Sequence, residues 1–139
     1  MATKKRHWLW NILIVLTLIT VVAAFLAHYK NWTKIEDNRI QILSGVYYKE
    51  LNFSDINAVE MVQKLPSLQR INGFSVKETE KGIFRDSVLN TKVYFYVDKL
   101  SNQKIRITHN DSLELYFNYA DSLETIKMYQ LLIEKTKKK

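Results

Sequence analysis

Hydrophobic and polar positions along the chain follow two regimes. From Trp8 to Ala27 (WLWNILIVLTLITVVAAFLA) twenty residues run without a charge, and twelve of them are Leu, Ile, Val or Phe. At about 1.5 Å per residue, a helix of that length spans the roughly 30 Å hydrocarbon core of a bilayer. The twelve side chains sum to an insertion free energy of order −5 kcal/mol, which Asn11, Thr17 and Thr20 do not overturn. From about Thr33 onward the pattern alternates, the period-2 signature of half-buried strands.

In that second regime Ile40 and Ile42 alternate with Arg39 and Gln41, Ser44-Gly45 marks a turn, and Val46, Tyr47 and Tyr48 continue as an aromatic strand. These predict a first hairpin. Ile56, Val59 and Val62 form a further apolar segment that Leu65-Pro66 ends, because proline cannot donate to a ladder. Asn72-Gly73 predicts a tight turn, since both residues tolerate positive φ. Val93, Phe95 and Val97 share one face opposite Tyr94, Tyr96 and Asp98. Ile105 and Ile107 alternate with Lys104 and Arg106, and Leu113, Leu115 and Phe117 with Glu114 and Tyr116. Three consecutive antiparallel strands are expected here, joined at Leu100-Ser101-Asn102 and Asn110-Asp111. Asp121, three residues before Glu124, has the spacing of a capping box, and Ile126, Tyr129, Leu132 and Ile133 follow at helical spacing. The pattern thus divides the chain into a basic tail (1–7), a transmembrane helix (8–27), a juxtamembrane link (28–36), a β domain (37–136) with a closing helix at 121–136, and a second basic tail (137–139).

The flanks support a membrane anchor. Trp8 and Trp10 at one end, and Tyr29 and Trp32 beyond the other, suit the aromatic belts at the two bilayer interfaces. A cleaved signal peptide is the stronger rival reading, with Lys4, Lys5 and Arg6 as its basic region and Val22-Ala23-Ala24 as a cleavage site; the apolar run, however, exceeds the usual 7 to 15 residues and continues past that site. A buried soluble helix is the weaker rival, because so short a chain has no core able to surround it. Lys4, Lys5 and Arg6 are packed at the helix start, whereas Lys30, Lys34 and Arg39 are spread out and diluted by Glu36. That difference favours a cytoplasmic N-terminus, an extracytoplasmic domain and a single-pass, signal-anchored protein of the cell (inner) membrane.

The order of elements is about six or seven antiparallel strands closed by one amphipathic helix. The stretches IQILSGVYYKELNFSDINAVEMV, LPSLQRINGF, KGIF and ELYFNYADSLETIKMYQLL resemble those of bacterial pleckstrin-homology-like (PH-like) domains in small membrane-anchored proteins. The resemblance covers most of Asn38 to Ile133 and rests on apolar spacing, Gly and Pro. It implies an α+β, mainly β fold, a PH-like antiparallel sandwich or barrel capped by the C-terminal helix, and a non-enzymatic role. A phosphoinositide site is not implied, because the first hairpin loop, Leu43-Ser44-Gly45-Val46, carries no base.

Composition narrows the chemistry. With no cysteine the chain has neither disulfides nor thiol catalysis. His7, His28 and His109 stand at no metal-ligand spacing, and His109 with Asp111 and Ser112 reads as an ordinary turn. Glu78, Glu80, Asp86 and Asp98 alternate with bases as a solvated face would. Asn31, Asn52 and Asn110 begin N-x-S/T triplets, which matter only in a glycosylating host. No catalytic, metal-ligating or cofactor-binding residue is therefore assigned, and no cofactor is expected. Tyr94, Tyr96 and Tyr116 are candidates for an outward patch that meets a partner, against the alternative that tyrosine simply suits strands. The net charge of +7, from 21 Lys and Arg against 14 Asp and Glu, resides at the two ends. Removing Lys4, Lys5, Arg6 and Lys137–Lys139 leaves 15 bases against 14 acids, or +1. Nucleic acid is therefore not an expected partner. The sequence points to a membrane-anchored interaction module that holds a protein or peptide partner beside the bilayer. The alternative is a lipid or small-ligand sensor drawing on Lys30, Lys34 and Arg39.

Overall fold

The computed structural model describes residues 3–138; the side chains of residues 3–6, 28 and 29 lie outside that description, as does Lys139. The topology residues Lys4, Lys5, Arg6 and Tyr29, and His28 with them, are therefore not placed as side chains. The first element is a helix, α1 (Thr3–Tyr29), whose stretch His7–Ala27 has a mean hydropathy of 2.5. None of that stretch is buried within the protein. It is long and apolar enough to span a membrane.

Nine strands follow among the described residues, more than the six or seven expected. β1 (Asn31–Ile35), β2 (Arg39–Ser44) and β3 (Tyr47–Asn52) form an antiparallel meander, and a 3-10 turn (Phe53–Asp55) leads out of it. β4 (Ile56–Val62), β5 (Gln69–Val76), β6 (Thr79–Arg85), β7 (Lys92–Val97), β8 (Lys104–His109) and β9 (Leu113–Phe117) build a second sheet in the order β4-β8-β9-β7-β6-β5. The chain closes with α2 (Ser122–Lys137). The architecture is α+β, mainly β.

Several expectations change. Residues 31–35, expected within a link, form β1, because Asn31 and Thr33 turn inward while Trp32 and Lys34 turn outward in register with β2. Asn72-Gly73 is not a turn. Gly73 faces Gly82 across β5 and β6, where the two backbones approach so closely that a Cβ on either would lie 2.2–2.3 Å from a carbonyl oxygen of the other strand. The turn comes later, at Lys77 (φ 52°). The last three strands are not a simple meander: β7 pairs with β9 in parallel, and β8 lies on the far side of β9. The loop from Val97 to Lys104 thus crosses a position that β9 fills afterwards.

Other local features hold. Gly45 (φ 64°) opens the two-residue turn between β2 and β3, and Asn110 (φ 47°) and Asp111 (φ 69°) make the turn between β8 and β9 with the residues best suited to positive φ. The Asp121 side chain caps α2 by accepting from Leu123 N–H at 2.9 Å.

The main core lies between the sheets, where Ile40, Ile42 and Leu51 meet Ile105, Ile107 and Phe117, with Leu132 of α2 closing one side. Full burial of each such side chain contributes about 1.5–3 kcal/mol. A second cluster, Phe84, Val93, Phe95 and Tyr116, occupies the opposite face of the large sheet, covered by Leu65 and Leu68 of the segment between β4 and β5. Both faces of β7 are consequently covered.

Candidate functional site

That double coverage removes the tyrosine patch. Tyr96 is buried in the main core and Tyr94 packs against it, while Tyr116 is buried on the other face. Alternation predicts Val93 and Phe95 inward and tyrosine outward, but a strand buried on both faces has no solvent side. Desolvation raises the Tyr96 and Tyr116 hydroxyls above the ordinary tyrosine range.

The feature that organises the molecule is the junction between α1 and the β domain. Only Lys30 separates the last residue of α1, Tyr29, from the first of β1, Asn31. Asn31 is buried and fully engaged. Its N–H donates to Asp98 Oδ2 at 2.8 Å, and its side-chain amide donates to the carbonyl oxygens of Tyr96 at 2.5 Å and Asn118 at 2.8 Å. Ser44 Oγ donates to Asn31 Oδ1. Asp98 Oδ1 pairs with the ammonium of Lys81 at 3.0 Å, both side chains being almost wholly buried. Asn118 holds the crossing loop from inside: its Oδ1 accepts from the N–H groups of Asp98 and Lys99, and its Nδ2 donates to the carbonyls of Lys99 and Gln103. The first residue of β1 is thus bound to the ends of β7 and β9 and to the loop that leaves β7.

Asp98 was expected on a solvated face and Asn31 only as the start of an N-x-S/T triplet; both are buried. Lys104, expected outward on β8, is buried as well, its ammonium donating to the carbonyls of Gln63 (2.7 Å) and Leu100. Burial lowers the pKa of both Lys81 and Lys104, and for Lys81 the Asp98 carboxylate acts in the opposite sense. One signal was available in the sequence. Asp98 continues the Tyr94 and Tyr96 face at the end of a strand, so a buried position for those tyrosines also buries its carboxylate, which then needs partners such as the Asn31 N–H and the Lys81 ammonium.

Beside the junction, β1 and α2 enclose a groove of about 360 Å³. Its walls include Trp32, Met128 and Leu131, with Lys30, Lys127 and Glu124 at its polar positions. Tyr119 closes it, its hydroxyl 2.6 Å from Thr33 Oγ1 and its pKa pushed up to about 12, chiefly by burial. Lys34 and Arg39, the other bases considered for a membrane lip, are engaged elsewhere. Both pair with Glu36, and Arg39 also reaches Glu50 at 3.0 Å. The hydrogen bond from Arg39 is the main cause of the lowered Glu36 pKa. Trp8 and Trp10 are exposed on α1, and Trp32 on β1.

Among the described residues no group of three His, Cys, Asp or Glu is placed to hold a metal ion. Comparison with protein-family models, curated proteins and solved structures finds no match to this chain.

Proposed function

We propose that the chain is a non-enzymatic, single-pass membrane protein that holds a PH-like interaction domain against the bilayer, for a protein or peptide partner, with its N-terminus cytoplasmic and its domain outside. The observation that carries this reading is the junction: an apolar helix of spanning length enters β1 through one residue, and β1 is bound at once into a buried polar network. A domain so joined is positioned by its anchor and does not swing on a linker. At the other end of the large sheet, the loop between β6 and β7 presents Val88 and Leu89 to solvent. The Asp86 carboxylate holds it by accepting from both of their N–H groups at 2.8 and 3.0 Å. Two adjacent exposed apolar side chains on a held loop, at the end of the sheet away from the junction, are a candidate contact for a partner. The mixed second sheet departs from the purely antiparallel PH-like pattern, so the PH-like reading rests on the helix-closed β architecture and the matching stretches.

The groove beside Lys30 favours a second reading, binding of a lipid at the membrane surface, since it joins apolar walls to two ammonium groups and one carboxylate. Photo-crosslinking of the whole protein in its native membrane separates the two. A crosslinker at Leu89 giving one discrete protein adduct, lost in Val88→Lys, supports the interaction module; adducts confined to lipid and to a crosslinker at Met128 support the lipid reading. A reporter fused after Lys139 tests the orientation, which a signal from the cytoplasm overturns.

A further inference from the structure

The outer face of the small sheet has a gradient along its strands. Register places Trp32, Leu43 and Tyr48 side by side in one cross-strand row, and Val46 stands at the hairpin tip beyond it. These side chains are 49%, 39%, 58% and 75% exposed, respectively. One step further from the junction, the outward row is Lys34, Gln41 and Glu50, and the next includes Arg39. The apolar row is the one nearest α1, because Asn31 pairs with Ser44 and the hairpin tip follows Ser44 directly.

Chain length limits where this row can lie. Trp32 is five residues beyond Ala27, the last residue of the apolar span, so at about 3.5 Å per residue it stands within about 17 Å of the hydrocarbon edge. Leu43 and Tyr48 lie on successive strands about 4.8 Å apart. The residues of the row also have interfacial chemistry. Trp32 has the Lys30 ammonium 4.2 Å from its ring centroid, and Tyr48 directs its hydroxyl to Glu50 at 3.0 Å, toward the polar rows. Trp and Tyr favour the headgroup level for this reason, an apolar ring joined to a polar end.

We propose that Trp32, Leu43, Val46 and Tyr48 form a membrane-seating surface that lies in the interfacial zone of the bilayer carrying α1, fixing the tilt and rotation of the β domain about its anchor. The inference rests on the anchor reading above and adds to it a second, non-spanning contact. The occupant is the lipid interface. Continuity with the spanning helix and the change from apolar to charged rows along the same face both favour it over a protein partner.

The absence of cysteine permits single-site labelling of the full chain. Val46→Cys and Glu50→Cys, each carrying a polarity-sensitive fluorophore, are reconstituted in phosphatidylcholine–phosphatidylglycerol vesicles, and insertion of α1 is checked independently by resistance to alkaline extraction. The expected result is a blue-shifted label at position 46, quenched by lipids spin-labelled near the headgroup and several-fold less accessible to an aqueous quencher than the label at position 50. Equal aqueous accessibility at the two positions, with α1 inserted, overturns the seating surface and leaves the anchor reading intact. Failure of α1 to insert overturns both. A shift at position 46 that disappears when the protein is diluted with excess lipid identifies a second copy of the chain as the occupant and also overturns the proposal.

Discussion

His109 is a side chain whose charge the fold disfavours. It is fully buried at the end of β8, its Nδ1 3.3 Å from Asn110 Nδ2 and its Nε2 without a partner among the described residues. Burial, reinforced by the Lys49 ammonium and opposed by Asp55, lowers its pKa from 6.5 to about 4. The folded state therefore binds this proton less readily than the unfolded chain. Its contribution to stability is complete above about pH 6.5 and is lost as the pH falls from there to about 4, with a slope of up to ~1.4 kcal/mol per pH unit. Thermal melts between pH 7 and about 4 should show this loss, and His109→Leu should flatten it; an unchanged slope in the variant would assign the effect to other groups. The facing glycines make a different demand. Gly73 and Gly82 have φ of +144° and +159°, and a Cβ on either meets the opposite backbone. Gly73→Ala should cost at least about 1–3 kcal/mol, lowering the Tm by roughly 4–8 °C for each kcal/mol. A Tm within a degree or so of the parent protein would show that β5 and β6 can separate there.

At the scale of elements, the buried network should behave as a clamp on β1. Asn31→Ala removes the donors to Tyr96 O and Asn118 O and the acceptor of Ser44 while leaving the backbone bond to Asp98. Amide exchange should then accelerate selectively over Asn31–Ile35, with β8 and β9 unaffected. Asp98→Ala acts more broadly, because it leaves the Lys81 ammonium buried without its carboxylate; breaking such a pair costs about 3–5 kcal/mol, and urea melts should show it. These same residues mark the boundary of what the sequence discloses. The β2–β3 hairpin, the Asn110-Asp111 turn and the Asp121 cap were legible because each depends on residues a few positions apart. The pairing of β7 with β9 was not, because alternation specifies the faces of a strand and never its neighbours. Nor does alternation show that the small sheet covers the Tyr94, Tyr96 and Asp98 face, and the three residues that bind the junction, Asn31, Asp98 and Asn118, lie 20 to 87 positions apart. Of the candidate site, only Trp32 and Lys30 were visible from position alone, by their nearness to the apolar span.

For the whole molecule, the consequence is mechanical. On the proposed anchor reading, α1 and the β domain joined by one residue share their orientation as long as β1 stays bound to the large sheet, and a flexible segment at the same place decouples them. Six Gly and Ser residues inserted between Lys30 and Asn31 have a root-mean-square span of about 13 Å, at roughly 5–6 Å × √n, about twice the roughly 5–8 Å that the headgroup zone of one leaflet adds to the hydrocarbon core. The insertion touches none of the bonds made by Asn31, so the thermal stability of the β domain should not change. What should change is its motion. A rigidly attached label on the domain, for instance at Leu89, should show high residual fluorescence anisotropy in vesicles for the parent chain and a marked fall after insertion. Equal anisotropies would mean that Lys30 already acts as a free hinge, and the positioning role assigned to the junction would fail. A fall in both stability and anisotropy would mean instead that β1 needs its direct continuity with α1 to stay in register, so that the anchor contributes to folding the domain as well as to placing it.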